Sequence, residues 1–310
     1  MPGKTRHQSP AVNAFIDIMG PRHVLTSARA TAPYAKGNRF GGGNVLAVLR
    51  PGSLVDMWRA LQVCVDNDLI VIPQSANTGL TGGSGPGAQD YDRPIVIIST
   101  LRINQIYLIN DAHEAICLAG STLYELDEAL APFHREPHSV IGSSSIGASV
   151  IGGIANNSGG SQIRKGPAFT KHAIFARVNE AGRLELVNHL GVELGDDPAH
   201  ILDKLQRGDW DPAKVTPAPE DTTETEYGEQ VRKIVDSPAR YNANSDYLYE
   251  ASGSAGKLMV FAVRTRTFPK VNDTTTFYIG TNSPAELEEL RAKVLADPRG
   301  WIAQPVLQLS

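Results

Sequence analysis

Apolar positions along this chain fall into short runs separated by polar, glycine-rich connections. Leu54, Trp58, Leu61 and Val65 recur at helical spacing behind Ser53-Leu54-Val55-Asp56. That tetrapeptide is a capping-box-like start with Asp in place of Glu or Gln, so the pattern predicts an amphipathic helix. Runs at 44–49, 69–73, 94–99, 105–109 and 115–119 predict strands. Residues 14–19 begin a short helix in an entry segment that spans 13–50. Thr122-Leu123-Tyr124-Glu125 is a second capping box and predicts a helix to about residue 130. Further on, 174–179 and 184–189 flank Glu180-Ala181-Gly182 as a hairpin, and 258–264 reads as a last strand. Residues 138–162 are rich in Gly, Ser and Ala and read as loop. Residues 190–237 are polar and acidic and read as a solvated excursion without chemistry. Strands alternating with helices in this way indicate α/β or α+β architecture.

The C-terminal pattern is different. Residues 275–280 read as a strand, and Ser283-Pro284-Ala285-Glu286 is a helix start with Ser as N-cap, Pro at N1 and Glu at N3. The helix should run to about residue 296 and stop near Pro298-Arg299-Gly300. One strand and one helix cannot cover both their apolar faces. A second domain is therefore expected to begin near residue 268 and to be incomplete within the 310 residues.

Candidate chemistry concentrates in Gln74-Ser75-Ala76-Asn77-Thr78-Gly79-Leu80-Thr81-Gly82-Gly83-Ser84-Gly85-Pro86. Glycines let the backbone take φ > 0 and let a ligand approach it closely. Successive backbone N–H groups can cradle a diphosphate without Lys or Arg. A P-loop or dinucleotide fingerprint opens a helix. Here the next predicted element is a strand, which places the loop outside those families. The alternative is an ordinary surface loop. A second segment, 138–160, is built from small residues that would let backbone lie flat against a planar ring. Together, two such segments beside strands favour a large two-ended ligand such as a dinucleotide.

Composition narrows the classes. The chain carries net charge −4 and 41% hydrophobic residues, enough for a sizeable core and about two domains. No Lys/Arg stripe supplies the phosphate contacts of a nucleic-acid surface. Cys64 and Cys117 are too few for a disulfide framework and read as small core residues in a reducing compartment. Residues 1–12 lack the apolar core of a signal peptide, and 139–161 is too rich in Ser, Asn and Gly for a membrane helix. His134 and His138 have the spacing of helical metal ligands, but Pro137 would break that helix and no metal is expected. Ser254-Ala255-Gly256-Lys257 has the Ser-x-x-Lys pattern without its companion motifs.

Arg50-Pro51-Gly52-Ser53, the loop at 75–86 and Ala119-Gly120-Ser121-Thr122-Leu123 together resemble the FAD-binding domain of the p-cresol methylhydroxylase and vanillyl-alcohol oxidase superfamily. Ala76-Asn77-Thr78-Gly79-Leu80-Thr81, Asp90-Tyr91-Asp92-Arg93, the segments 135–142 and 146–160, and Pro238-Ala239-Arg240-Tyr241-Asn242-Ala243 look more closely like the bacterial quinone-linked D-lactate dehydrogenases. The resemblance runs from about residue 10 to 297. It implies an α+β fold: a two-subdomain FAD-binding domain over 1–267, divided at about 134/135, followed by the start of an α+β substrate cap at 268–310.

By the same resemblance, Ser75, Ala76, Asn77, Thr78, Gly79, Gly83 and Ser84 would hold the FAD pyrophosphate. Gly142, Ser149 and Gly159 would line the rest of the cofactor, and Val260 would meet it through its backbone. The loop at 75–86 has no His or Cys, so FAD is expected to be noncovalent. The implied reaction is oxidation of D-lactate, or a similar 2-hydroxy acid, to the keto acid, with electrons passing to membrane quinone. A base takes the hydroxyl proton, and an arginine fork would suit the carboxylate. Arg39 and Arg164 are the substrate-side arginines on offer, against surface roles for both; no base is assigned. The family sits peripherally on the cytoplasmic face of the bacterial inner membrane. Its remaining cap, basic docking region and final segment are absent from the expected layout, and this chain itself is expected to be soluble. Residues 301–310 depart from the resemblance, as a truncation or frameshift would produce. Two alternatives stay open: a non-catalytic or incomplete FAD-binding fragment, and an NADPH-dependent flavin reductase of the same fold.

Overall fold

The computed structural model describes residues 9–37, 39–87, 91–138, 146–158, 165, 168–215, 217, 250–270, 272, 275 and 278–296. Its first sheet contains β1 (Val24–Leu25), β2 (Ala47–Leu49), β3 (Ile70–Gln74) and β4 (Ile95–Ser99) in the order β1-β2-β4-β3. β4 runs parallel to both β2 and β3, while β1 is antiparallel to β2. Central and covered, β4 is buried at all five positions, which is why its sequence is an unbroken apolar run. Helices α1 (Pro10–Met19), α2 (Ala28–Ala35) and α3 (Leu54–Asp66) complete this part. Ser53 Oγ accepts the Asp56 N–H at 3.0 Å, fixing the start of α3.

The second sheet is antiparallel. It contains β5 (Ile106–Ile109), β6 (Glu114–Leu118), β8 (His172–Val178), β9 (Leu184–Asn188) and β10 (Met259–Pro269), ordered β5-β6-β10-β8-β9. A short strand β7 (Arg135–Pro137) pairs with the far end of β10. Alternation along β6 sends Ile116 and Leu118 into the core shared with α3, and Ala115 and Cys117 to the opposite face. That opposite face is covered by α4 (Leu123–Leu130) and α5 (Val150–Ala155). Strand β10 breaks the alternation. A register shift between Val260 and Ala262 leaves Phe261 and Ala262 both on the α3 side, with Val260 and Val263 both on the other. Such a bulge re-aims side chains without ending the strand. Phe261 thereby meets Trp58 of α3, with ring centroids 6.3 Å apart, and ties the two sheets through one core.

Several expectations change. The segment 138–162, read as loop, contains α5, whose start Ser149 caps. Its glycines hid it, since Gly lowers helix propensity. The excursion at 190–237 contains α6 (Pro198–Arg207), which buries Ile201, Leu202 and Leu205 in the main core. The acidic residues that dominated that reading lie beyond the described part. The strand expected at 258–264 continues to Pro269. Residues 276 and 277 lie outside the described residues, and the described remainder of 275–280 carries no strand. The last helix, α7 (Pro284–Ala296), stands where its capping pattern placed it.

Candidate cofactor site

The loop at 75–87 leaves the C-terminal end of β3, and the described residues between it and β4 contain no helix. Carboxyl ends of parallel strands are where open α/β sheets bind ligands. Three side chains shape this loop. The Gln74 Nε2 donates to Tyr34 O at 2.8 Å and to Ser84 O at 2.5 Å, tying the outgoing limb to the returning one. Asn77 takes φ 54°, a left-handed conformation that Asn tolerates, and its Nδ2 donates to Lys36 O at 3.0 Å. Asn77 Oδ1 accepts the Ser84 hydroxyl at 2.7 Å. A Cβ built at Gly83 would meet nothing within 4 Å, so this part of the loop faces open space.

Hydrogen bonds link this loop to the second glycine-rich segment. Thr100 N donates to Gln74 O at 2.9 Å, and Thr100 Oγ1 donates to Ala119 O at 2.9 Å. Two residues on, Ser121 O accepts Val150 N at 3.0 Å, and Leu123 N donates to Ala148 O at 2.9 Å. Ser149 Oγ accepts Gly152 N at 3.1 Å as the cap of α5. At the other end of α5, Ile154 O and Ala155 O accept Gly253 N and Ala255 N, at 3.0 and 2.8 Å. From there the chain enters β10 at Met259. Val260 pairs with Phe175 of β8, but β6 ends opposite Ala262, so Val260 lies past that ladder.

Ser75, Ala76, Asn77, Thr78, Gly79, Gly83 and Ser84 thus share one pinned loop, and Ser149 and Val260 lie on the same connected framework. Gly142, Gly159 and Arg164 lie outside the described residues. Arg39 is exposed and directly precedes Phe40, which packs on Gly82 of the loop. Sequence reasoning passed over Thr100, whose hydroxyl joins the two segments, because a lone Thr after an apolar strand carries no distinctive pattern.

The site fits a diphosphate cofactor on two counts. Residues 74–87 contain no charged side chain, so this loop itself can meet an anion only through backbone N–H groups and short polar side chains. Among the described residues the buried Ser75 Oγ has no hydrogen-bond partner, and Ser254 Oγ, next to the α5 contacts, shares that state. Buried hydroxyls are normally satisfied, so two orphans bordering one framework mark groups that a ligand would complete.

His134 and His138 do not form a ligand pair. His134 sits in the left-handed region at φ 52°, while His138 Nε2 lies 2.8 Å from Lys165 O. Among the described residues, no group of three or more His, Cys, Asp or Glu could hold a metal ion. Burial pushes the His138 pKa down to about 4, with the Lys165 charge adding to the shift. Lys165 Nζ is held by Glu136 at 2.5 Å and lies 4.8 Å from the Phe268 ring centroid. A histidine kept neutral in the folded state is protonated first in the unfolded chain, which favours unfolding as pH falls. Stability from His138 is therefore present above about pH 6.5 and lost progressively toward pH 4. Urea denaturation across that window should show a shallower pH dependence for His138→Gln than for the parent.

The chain shares its fold with solved p-cresol methylhydroxylase and with an alkyldihydroxyacetonephosphate synthase. The family described as FAD binding domain matches residues 45–179, and FAD is its cofactor. The solved p-cresol methylhydroxylase with substrate bound shares the fold at TM-score 0.53 and 15% identity, over 87% of this chain and 45% of that one. An alkyldihydroxyacetonephosphate synthase does so at TM-score 0.56 and 14% identity, over 87% and 42%. In sequence, the chain is similar to quinone-dependent D-lactate dehydrogenases. That of Corynebacterium glutamicum is 72% identical over 291 residues, covering 94% of this chain and 51% of the relative. That of Escherichia coli K12 is 50% identical over 287 residues, covering 92% and 50%. The chain spans about half the length of these curated relatives.

Proposed function

We propose that this chain provides the FAD-binding part of a dehydrogenase that oxidises D-lactate, or a closely similar 2-hydroxy acid, and passes electrons to quinone. The observation that carries it is the pinned, charge-free loop with its unsatisfied Ser75 hydroxyl, in a chain 72% identical to a D-lactate dehydrogenase. Noncovalent FAD would supply the hydride acceptor for the substrate α-carbon. Backbone N–H groups from Ser75 to Gly79, with Gly83 and Ser84, would bind its diphosphate. Ser149, Val260, Gly142 and Gly159 would line the remainder. The domain would extend to about residue 267, with two subdomains meeting near residue 134. Residues 268–310 would begin a substrate cap.

The chain's own residues would orient the cofactor and exclude water from it, a role that suits its hydrogen-bonded framework. Among the described residues, no helix is long and apolar enough to cross a membrane. Electron transfer to quinone is the ground for a peripheral location of the whole protein at the cytoplasmic face of the inner membrane. Purified protein should be yellow, and added D-lactate under anaerobic conditions should bleach its flavin absorbance. FAD uptake without bleaching by any 2-hydroxy acid would remove the dehydrogenase reading and leave the binding one. A protein that takes up no FAD sinks both.

A further inference from the structure

We propose that residues 34–37 and 39–43 form a second wall of the diphosphate site and that Arg39 supplies the positive charge its glycine-rich loop lacks. The inference rests on the FAD reading above and adds a cofactor-binding residue outside the loop. The two segments are joined at several points. Gln74 Nε2 holds Tyr34 O, Asn77 Nδ2 holds Lys36 O, and Gly43 N donates to Pro86 O at 3.4 Å. Phe40 covers Gly82 so closely that a Cβ there would lie 3.2 Å from the Phe40 Cβ. Gln74 and Asn77 are thus positioning residues for both walls.

Residues 34–37 and 39–43 are also bonded to one another. Gly37 N donates to Phe40 O and Gly42 N to Ala35 O, both at 2.8 Å, and Lys36 bridges Gly41. Gly41 and Gly42 take φ 121° and 109°, conformations that only glycine adopts readily. Arg39 directly precedes Phe40, the residue that covers Gly82 of the loop. Arg39 is exposed and makes no ion pair with any described residue, and Phe40 next to it stays 57% exposed. An unpaired guanidinium next to an uncharged anion cradle matches a diphosphate, which it can grip through two parallel N–H···O bonds.

Titration of the apo-protein with FAD, read by quenching of flavin fluorescence, tests this directly. Arg39→Ala should raise the dissociation constant about tenfold, as loss of one charge-assisted contact implies. It should also flatten the salt dependence of binding and leave the thermal midpoint of the apo-protein unchanged. Arg39→Lys should restore part of the affinity, while Arg29→Ala, on the exposed side of α2, should bind FAD as the parent does. An Arg39→Ala protein with parental affinity and salt dependence overturns the proposal. So does unchanged FAD affinity with a raised KM for D-lactate, which would turn Arg39 toward substrate. If the parent itself takes up no FAD, the FAD reading fails together with this one.

Discussion

Gly120→Ala is expected to destabilise the protein by about 3 kcal/mol or more, the upper end of what overpacking costs. A Cβ at this position would lie 2.2 Å from Thr100 O, 2.9 Å from Thr100 C and 2.9 Å from Leu101 Cα. All three are backbone atoms, so no side-chain rotation relieves the clash. The main chain must move, and the movement falls on Thr100, whose amide and hydroxyl join Gln74 O to Ala119 O. FAD affinity should therefore drop with stability. Urea denaturation of the apo-protein gives the first effect, and flavin fluorescence titration of the fraction still folded gives the second. An alanine variant with parental stability would mean that this turn opens more freely than its bonding indicates.

Much of the architecture was legible before any coordinates. Ser53, Thr122 and Ser283 marked helix starts because capping is local chemistry, written within four residues. The β3–loop–β4 order was legible for the same reason, and it removed the P-loop and dinucleotide-fingerprint readings. What stayed hidden depends on distant parts of the chain. Helix α5 is six residues with two glycines, held by contacts to residues 121 and 253–255 that no window of sequence contains. Helix α6 is amphipathic, but its apolar residues fall among neighbours whose average composition is polar. At the site, the resemblance named loop residues individually, whereas the hydrogen bonds add Gln74 and Thr100 as the side chains that hold the loop's base. Their types are ordinary in any strand end, and only their partners give them a role.

The second large effect should come from Glu114, which is buried with Arg264 in the middle of the second sheet. Arg264 Nε and Nη2 donate to the two carboxylate oxygens at 2.8 and 2.6 Å, and Asn110 Nδ2 donates to the same carboxylate at 2.5 Å. The side chains are only 2% and 5% exposed. Removing the carboxylate takes away both charge-assisted hydrogen bonds it makes with the buried guanidinium, so Glu114→Ala is expected to cost about 3–5 kcal/mol. Replacing both, as Glu114→Met with Arg264→Met, should recover most of that loss, because an apolar pair of similar volume is often neutral or better. The pair also carries positional information. Arg264 lies opposite Ile116 and Arg266 opposite Glu114, so the bidentate contact is a diagonal one that a slipped register would break. Register here matters for the site, since the bulge at 260–262 lies four residues or fewer from Arg264 and sets which face Val260 occupies. The double-methionine variant should therefore regain stability in urea while its FAD affinity stays below that of the parent. Full recovery of both would show that the bulge alone holds Val260 in place.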